Sequence, residues 1–269
     1  MAAGPAALPA TSDRGEHTMT DTAVKINSVR VPEGKLGVFF MGQAGAVLKA
    51  PDDELLAVDL YLSDCCERYF GFKRLMPKLI GTADVKFDYI CATHAHYDHF
   101  DPDSVPALLA HGGKLYAASD CREECDRLGI KEMEELKVGT KHTAGAFTIE
   151  AVKCDHGEGT PYAVGLYITC GDKSVYIAGD TCFRPDIAEK MSGYKIDLMF
   201  APINGAYGNL DWKQGADFFA IVRPKLCVPC HYWNFAEHGG DPGKFADEMK
   251  SAHPDLPYRL MTPGEYTEI

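Results

Sequence analysis

The sequence has no apolar run near the ~18 residues that a membrane-spanning helix needs, so no membrane attachment is expected. It has no basic segment followed by a continuous apolar stretch at its start, the pattern of a secretion signal. The first 23 residues are instead Ala- and Pro-rich, then polar, and read as a disordered tail, with Met19 as a second candidate start. Positive charge is short as well: 27 Lys and Arg stand against 39 Asp and Glu, a net charge of −12. An acidic surface repels phosphate backbones, which argues against nucleic-acid binding. There is no internal repeat, and no low-complexity segment beyond the tail. Cysteine is not scarce: the chain has ten, scattered and several in strand-like runs. Without a secretion signal these read as reduced, buried thiols of a cytoplasmic protein. Cys227-Val228-Pro229-Cys230 has Cys-x-x-Cys spacing, but in an apolar run rather than at a helix start, so a redox role gains no support.

With 269 residues, 46% hydrophobic and 25% charged, the chain has the composition of an ordinary globular protein. We assign 1–23 to the tail and 24–269 to a single domain. Apolar runs at 36–41, 46–50 and 54–60, separated by Gly- and Asp-containing turns, predict a β-meander. A helical stretch is expected at 64–79, a buried strand at 89–92, a helix at 104–110, a strand at 115–118 and a helix at 120–128. Further strands are expected at 147–154, 163–170 and 174–178 (a hairpin around Gly171-Asp172), 196–203 and 225–229, with helices at 212–222 and 242–251. Two β-rich halves that each end in strand/helix alternation predict two stacked sheets with helices outside, an α/β four-layer αββα sandwich.

Thr93-His94-Ala95-His96-Tyr97-Asp98-His99-Phe100-Asp101 packs three imidazoles and two carboxylates behind the strand at 89–92. Neutral imidazole and carboxylate are ligands that Zn²⁺, Mn²⁺ and Fe accept. A strand that stops there delivers them to one point, at the carboxyl end where open α/β folds place chemistry. Three later residues stand likewise where an apolar run stops: His156, Asp180 in Gly179-Asp180-Thr181, and His231. Singly, each has a bland reading, a surface histidine or a turn aspartate. As an ordered set they point to one metal centre.

That set, His-x-His-x-Asp-His, then His, Gly-Asp-Thr and a late His, resembles the metallo-β-lactamase-fold hydrolase superfamily over roughly residues 36–235. Phe40-Met41-Gly42-Gln43-Ala44-Gly45, Pro202-Ile203-Asn204-Gly205 and Pro229-Cys230-His231-Tyr232 are similar to its L-ascorbate-6-phosphate lactonase-like branch. The branch pattern differs at Ala95, Tyr97 and Tyr232. The resemblance implies two divalent ions per chain, Zn²⁺ or Mn²⁺ with Fe as a further candidate. His94, His96 and His156 would hold the first; Asp98, His99 and His231 the second; Asp180 would bridge them. It implies a shared hydroxide that attacks a small ester or lactone, such as a phosphorylated sugar lactone, with Asp98 as the catalytic proton carrier. It also implies a small-molecule substrate and a homo-oligomer. Lys73 and Arg74 are candidates for a substrate phosphate, although a solvated helix face explains them equally well. Asn204, Tyr207, Tyr232, Trp233 and His238 flank the late motifs and are candidates for the mouth. Two other functions stay open: a phosphodiesterase or nuclease with the same metal site, disfavoured by the acidic balance, and a non-catalytic metal-bearing binding protein, disfavoured because no ligand position is lost.

Overall fold

The computed structural model describes residues 19–269. The expected tail lies outside the described residues up to 18, but order begins before Val24. Helix α1 (Asp21–Ser28) is capped by Thr20, whose hydroxyl accepts from the Ala23 amide at 3.2 Å. The meander follows as β1 (Gly37–Gly42), β2 (Gly45–Lys49) and β3 (Leu55–Val58). Helix α2 (Cys65–Phe70) is shorter than the helical stretch expected to 79, because Gly71 turns to φ 78° and closes it with backbone bonds to Cys66 and Glu67. Then come β4 (Tyr89–Ala92), α3 (Ser104–Leu109), β5 (Lys114–Ala118), α4 (Cys121–Arg127) and β6 (Glu134–Leu136). The second half runs β7 (Lys141–Ala144), β8 (Phe147–Lys153), β9 (Val164–Cys170), β10 (Lys173–Ile177), α5 (Pro185–Met191) and β11 (Leu198–Pro202). It ends with α6 (Trp212–Val222), β12 (Cys227–Cys230), α7 (Pro242–Ala252) and β13 (Tyr266–Glu268). The sequence reading had no counterpart for α1, β6, β7, α5 or β13. The three strands among these are three or four residues long and sit at or next to sheet edges, too short to show alternation.

A seven-stranded sheet, β13-β1-β2-β3-β4-β5-β6, stacks on a six-stranded one, β12-β11-β10-β9-β8-β7. Each is antiparallel on one side and parallel on the other, from β3 to β6 and from β10 to β12. Phe39, Val47, Ile90, Ile168, Val175, Ile177 and Phe200 share the core between the sheets. Alternate residues of β10 and β11, Tyr176, Met199 and Ala201, face the other way into a second core under α5, α6 and α7. Both faces of these strands are therefore buried, and the expected α/β sandwich with outer helices is the fold.

The strands β3, β4, β8, β10, β11 and β12 all end at one edge of the stack. Backbone bonds stitch that edge together: the Val164 amide donates to the Thr93 carbonyl at 3.0 Å, and His231 to Gln43 at 2.7 Å. All ten cysteines are free. Burial pushes the Cys227 thiol up to about 12, the opposite of an activated thiol, which agrees with a packing role for the Cys-x-x-Cys.

Candidate metal centre

The ligand loop leaves β4 at Thr93 and is held at both ends by buried carboxylates. Asp59, just past β3, accepts from the Thr93 amide at 2.8 Å and its hydroxyl at 2.7 Å. Asp101 accepts from the Leu62 and Ser63 amides and from both the Ser63 and Ser104 hydroxyls, at 2.7–3.0 Å. Asp101 is thus a structural pin that ties the loop to the segment entering α2 and to the start of α3.

Between those pins the side chains converge. His94 Nε2 lies 3.0 Å from His96 Nδ1, and His156 Nε2 lies 3.2 Å from the same atom. On the other side His99 Nε2 lies 3.3 Å from His231 Nε2 and 3.6 Å from Asp98 Oδ2, with His231 Nε2 3.2 Å from Asp98 Oδ2. Asp180 stands between: Oδ1 is 3.4 Å from His99 Nε2, and Oδ2 is 3.2 Å from His231 Nε2 and 3.7 Å from His156 Nε2. The structure brings all seven expected donors together. Donors about 2.0–2.1 Å from a tetrahedral Zn²⁺ lie about 3.4 Å from one another, so these spacings fit ions between them.

The electrostatics fit too. Burial keeps His94, His96 and His156 neutral; His156 is brought down to about 4 even though Asp180 acts against this. His96 Nδ1 is approached by both His94 Nε2 and His156 Nε2, yet a neutral imidazole nitrogen carries either one proton or one lone pair, so hydrogen bonds alone cannot satisfy all three atoms. A cation among their lone pairs removes the conflict. Burial alone would raise the Asp98 and Asp180 carboxyls, but His99 and His231 hold both well below the usual range. Conversely, burial opposes protonation of His231, yet Asp180 and Asp98 push it up to about 9.

Outer partners fix these rings. His99 Nδ1 bonds Asp59 Oδ2 at 2.8 Å, which leaves Nε2 for the centre. Gln43 Nε2 donates to Asp98 Oδ2 at 2.8 Å, and Asn209 Nδ2 to Asp180 Oδ2 at 2.8 Å. Gln43, Asp59 and His231 all sit at positive φ, between 48° and 62°. Backbone strain of this kind persists only where the surroundings over-determine it. Sequence reasoning gave Asp59, Gln43 and Asn209 no role. Asp59 carried a usable signal, a polar residue where an apolar run stops, the same signal that marks His156 and His231.

Five of the donors, His96, Asp98, His156, Asp180 and His231, floor a cavity of about 480 Å³. Among the mouth candidates, Tyr207 and His238 line it, and His238 Nδ1 also reaches Gln43 Nε2 at 3.1 Å, beside Asp98 and His231. The other candidates are elsewhere. Arg74 is spent on the fold: Nη2 donates to the Tyr61 and Ser63 carbonyls at 2.9 and 2.7 Å, and its guanidinium stacks 3.9 Å over the Tyr61 ring. Lys73 is exposed to solvent outside the cavity. Asn204 turns its amide to the Ala206 carbonyl at 3.2 Å, and Tyr232 is buried in the second core.

Residues 60–232 match the family model described as Beta-lactamase superfamily domain. A UPF0173 protein of Pyrococcus furiosus is 30% identical over 191 residues, 68% of this chain and 84% of that protein. A UPF0173 metal-dependent hydrolase of Thermofilum pendens is 28% identical over 188 residues, 68% of this chain and 78% of that protein. Among solved structures, the metallo hydrolase Igni18 of Ignicoccus hospitalis has a TM-score of 0.70 at 23% identity, covering 87% of this chain and 98% of that one, a likeness of fold.

Proposed function

The chain belongs to the beta-lactamase superfamily and, with its relatives, to the UPF0173 metal-dependent hydrolases, and we propose that it hydrolyses a small ester or lactone with two divalent ions. The observation that carries this reading is the convergence, from four strand ends, of seven donors, five of which (His96, Asp98, His156, Asp180 and His231) line one cavity. His94, His96 and His156 would hold one ion and Asp98, His99 and His231 the other; the Asp180 carboxylate, which stands between the two groups, would serve both. Bound ions would polarise the substrate's carbonyl oxygen and acidify water. His99 and His231 would lose their protons to bind, so loading releases protons.

Asp98 lines the cavity as well as the floor. Its carboxylate orients the attacking water and carries that water's proton to the leaving oxygen as the C–O bond breaks, giving an acid and an alcohol, or a hydroxy acid from a lactone. Gln43 fixes the rotation of the carboxylate by donating to Oδ2. Resemblance to the lactonase-like branch supports an ester or lactone bond, but its phosphorylated substrate has no support at Lys73 or Arg74. Among the described residues no Lys or Arg lines the cavity, which likewise counts against a phosphodiester. The free thiols suit a reducing cytoplasm.

The test is to load the protein with Zn²⁺ or Mn²⁺, measure metal per chain, and assay a lactone, a phosphodiester and a thioester side by side. About two ions per chain and turnover of the lactone are expected. Fewer than about one ion per chain overturns the two-ion reading, and turnover of the phosphodiester alone overturns the ester reading. In the same assay, Asp98→Ala should lower turnover about 10²–10⁴-fold with the fold intact. Near-normal turnover by the loaded variant would remove Asp98 from the mechanism.

A further inference from the structure

We infer that the substrate's non-reacting part is an uncharged apolar group, an aryl ring or a medium alkyl chain, gripped by an aromatic wall over the metal floor. The inference rests on the hydrolytic reading of that floor. The wall is Phe70, at the end of α2, Phe72 just after it, Tyr97 in the ligand loop and Tyr207 after β11, all of which line the cavity. Their rings form one continuous row. Tyr97 meets Phe70 at 5.6 Å between centroids, Phe70 meets Phe72 at 6.1 Å, and Phe72 meets Tyr207 at 6.0 Å. Phe72 and Tyr207 also meet His238 at 5.6 and 5.3 Å, which joins the row to the floor.

Phe70 and Tyr207 remain 55% and 57% exposed, although large aromatic side chains gain most from burial. A row of exposed rings at the mouth of a polar-floored cavity is apolar surface that a ligand would cover. Among the described residues, phosphate and carboxylate groups find no side-chain cation at the mouth: no Lys or Arg lines the cavity, and Arg127, 3.5 Å from the Tyr97 hydroxyl, is paired with Glu124. The Tyr97 hydroxyl is itself held by Glu124 at 3.2 Å, so the ring presents carbon to the cavity. The wall is preformed. Phe235, buried beneath it, meets Phe72 at 6.1 Å and His238 at 4.8 Å.

The experiment compares three substrates on the loaded enzyme: γ-butyrolactone, the same ring with a five-carbon alkyl chain, and a sugar lactone bearing a phosphate. Two variants remove rings, Phe72→Ala and Tyr207→Gly. Tyr207 sits at φ 54°, a conformation that glycine adopts freely, so that variant removes the ring without a folding penalty at this position. The alkyl lactone should have the highest kcat/KM. Each variant should raise its KM about tenfold and cut the alkyl lactone's advantage in kcat/KM over γ-butyrolactone by about the same factor. A preference for the phosphorylated lactone, or equal kcat/KM for the two neutral ones, overturns the inference while the hydrolytic reading stands. If no lactone is cleaved, the ester-or-lactone reading fails, and a metal-independent arm still judges the wall. Benzyl alcohol titrated into the metal-free chain by NMR should bind saturably and about tenfold more weakly to Tyr207→Gly; equal binding, or none, overturns it.

Discussion

His96, Asp98, His156, Asp180 and His231 share a cavity with Phe70, Phe72 and Tyr207, but the two groups are held by different physics. The metal floor hangs from strand ends, where sheet register fixes each Cα and buried partners fix each ring. The aromatic wall hangs from the end of α2 and from segments without regular structure, fixed by side-chain contacts and one arginine. The floor is buried polar chemistry that fails if one partner is lost, because an unpaired buried charge is costly. The wall is half-exposed apolar surface that degrades gradually. On the proposed function, chemistry would sit on the rigid part of the fold and selectivity on the part that can change without unfolding it.

The largest break in that comparison should come from Asp59→Ala. Asp59 touches no ion position, but it is fully buried and holds both His99 Nδ1 and Thr93. Removing it leaves their donors unpaired. We expect metal affinity to fall about 10–100-fold and stability by about 3–5 kcal/mol, read by metal titration and by denaturant midpoint. Binding of both ions with unchanged affinity would show that the floor does not depend on its outer partners.

A middle-sized effect belongs to Arg74→Ala, which acts on the wall directly and touches the ligand loop only through Ser63 and its bonds to Asp101. The guanidinium bonds two carbonyls and stacks on Tyr61, which packs on Phe235 at 5.4 Å beneath Phe72. Losing it should cost about 1–3 kcal/mol of stability. It should also raise KM for the alkyl lactone several-fold and leave metal content per chain unchanged. Lys73→Ala, one residue away and exposed, should change neither. Loss of metal from the Arg74 variant would mean that wall and floor are one mechanical unit.

The floor was far more legible in the sequence than the wall. A ligand at a strand end needs an apolar run followed by His or Asp, and His94, His156, Asp180 and His231 each show it. Asp59 shows it too, but the apolar run continues to Leu60 and hides the stop; in the structure β3 ends at Val58 and Asp59 turns to φ 48°. The wall has no such signature. Phe70 and Phe72 flank Gly71, which ends α2, so a helix extended to 79 places Phe72 and Arg74 on a solvated face. Tyr207 lies between Gly205 and Gly208, where no periodicity exists. Nor could a single sequence show that Arg74 turns inward onto Tyr61 rather than outward to a phosphate. The two-sheet architecture was legible because β8 and β9 alternate and β10, β11 and β12 are buried on both faces. The short strands were not, since three residues cannot display a period.

The smallest effect tests whether surface charge contributes to the wall at all. Asp64, at the start of α2, meets Lys78 at 2.5 Å and lies 3.6 Å from Arg74 Nε. The Lys78 hydrogen bond, opposed by partial burial and reinforced by the charges of Lys78 and Arg74, lowers the Asp64 carboxyl below its usual 3.8. In the unfolded chain the carboxyl takes up its proton at the ordinary value, in the folded chain only at lower pH. Asp64 therefore adds stability that is fully present above about pH 4 and is lost as pH falls through the lowered value. The side chain is 44% exposed, so water screens the pair and the contribution is about 0.2–1 kcal/mol. Asp64→Asn keeps a residue suited to the helix start and removes only the charge. Its melting temperature should lie slightly below that of the parent at pH 7, and the gap should close both in acid, once the pH has fallen through the lowered carboxyl value, and at 1 M salt. A gap that persists in acid and in salt would assign the effect to packing, and the wall would then owe nothing to its charged rim.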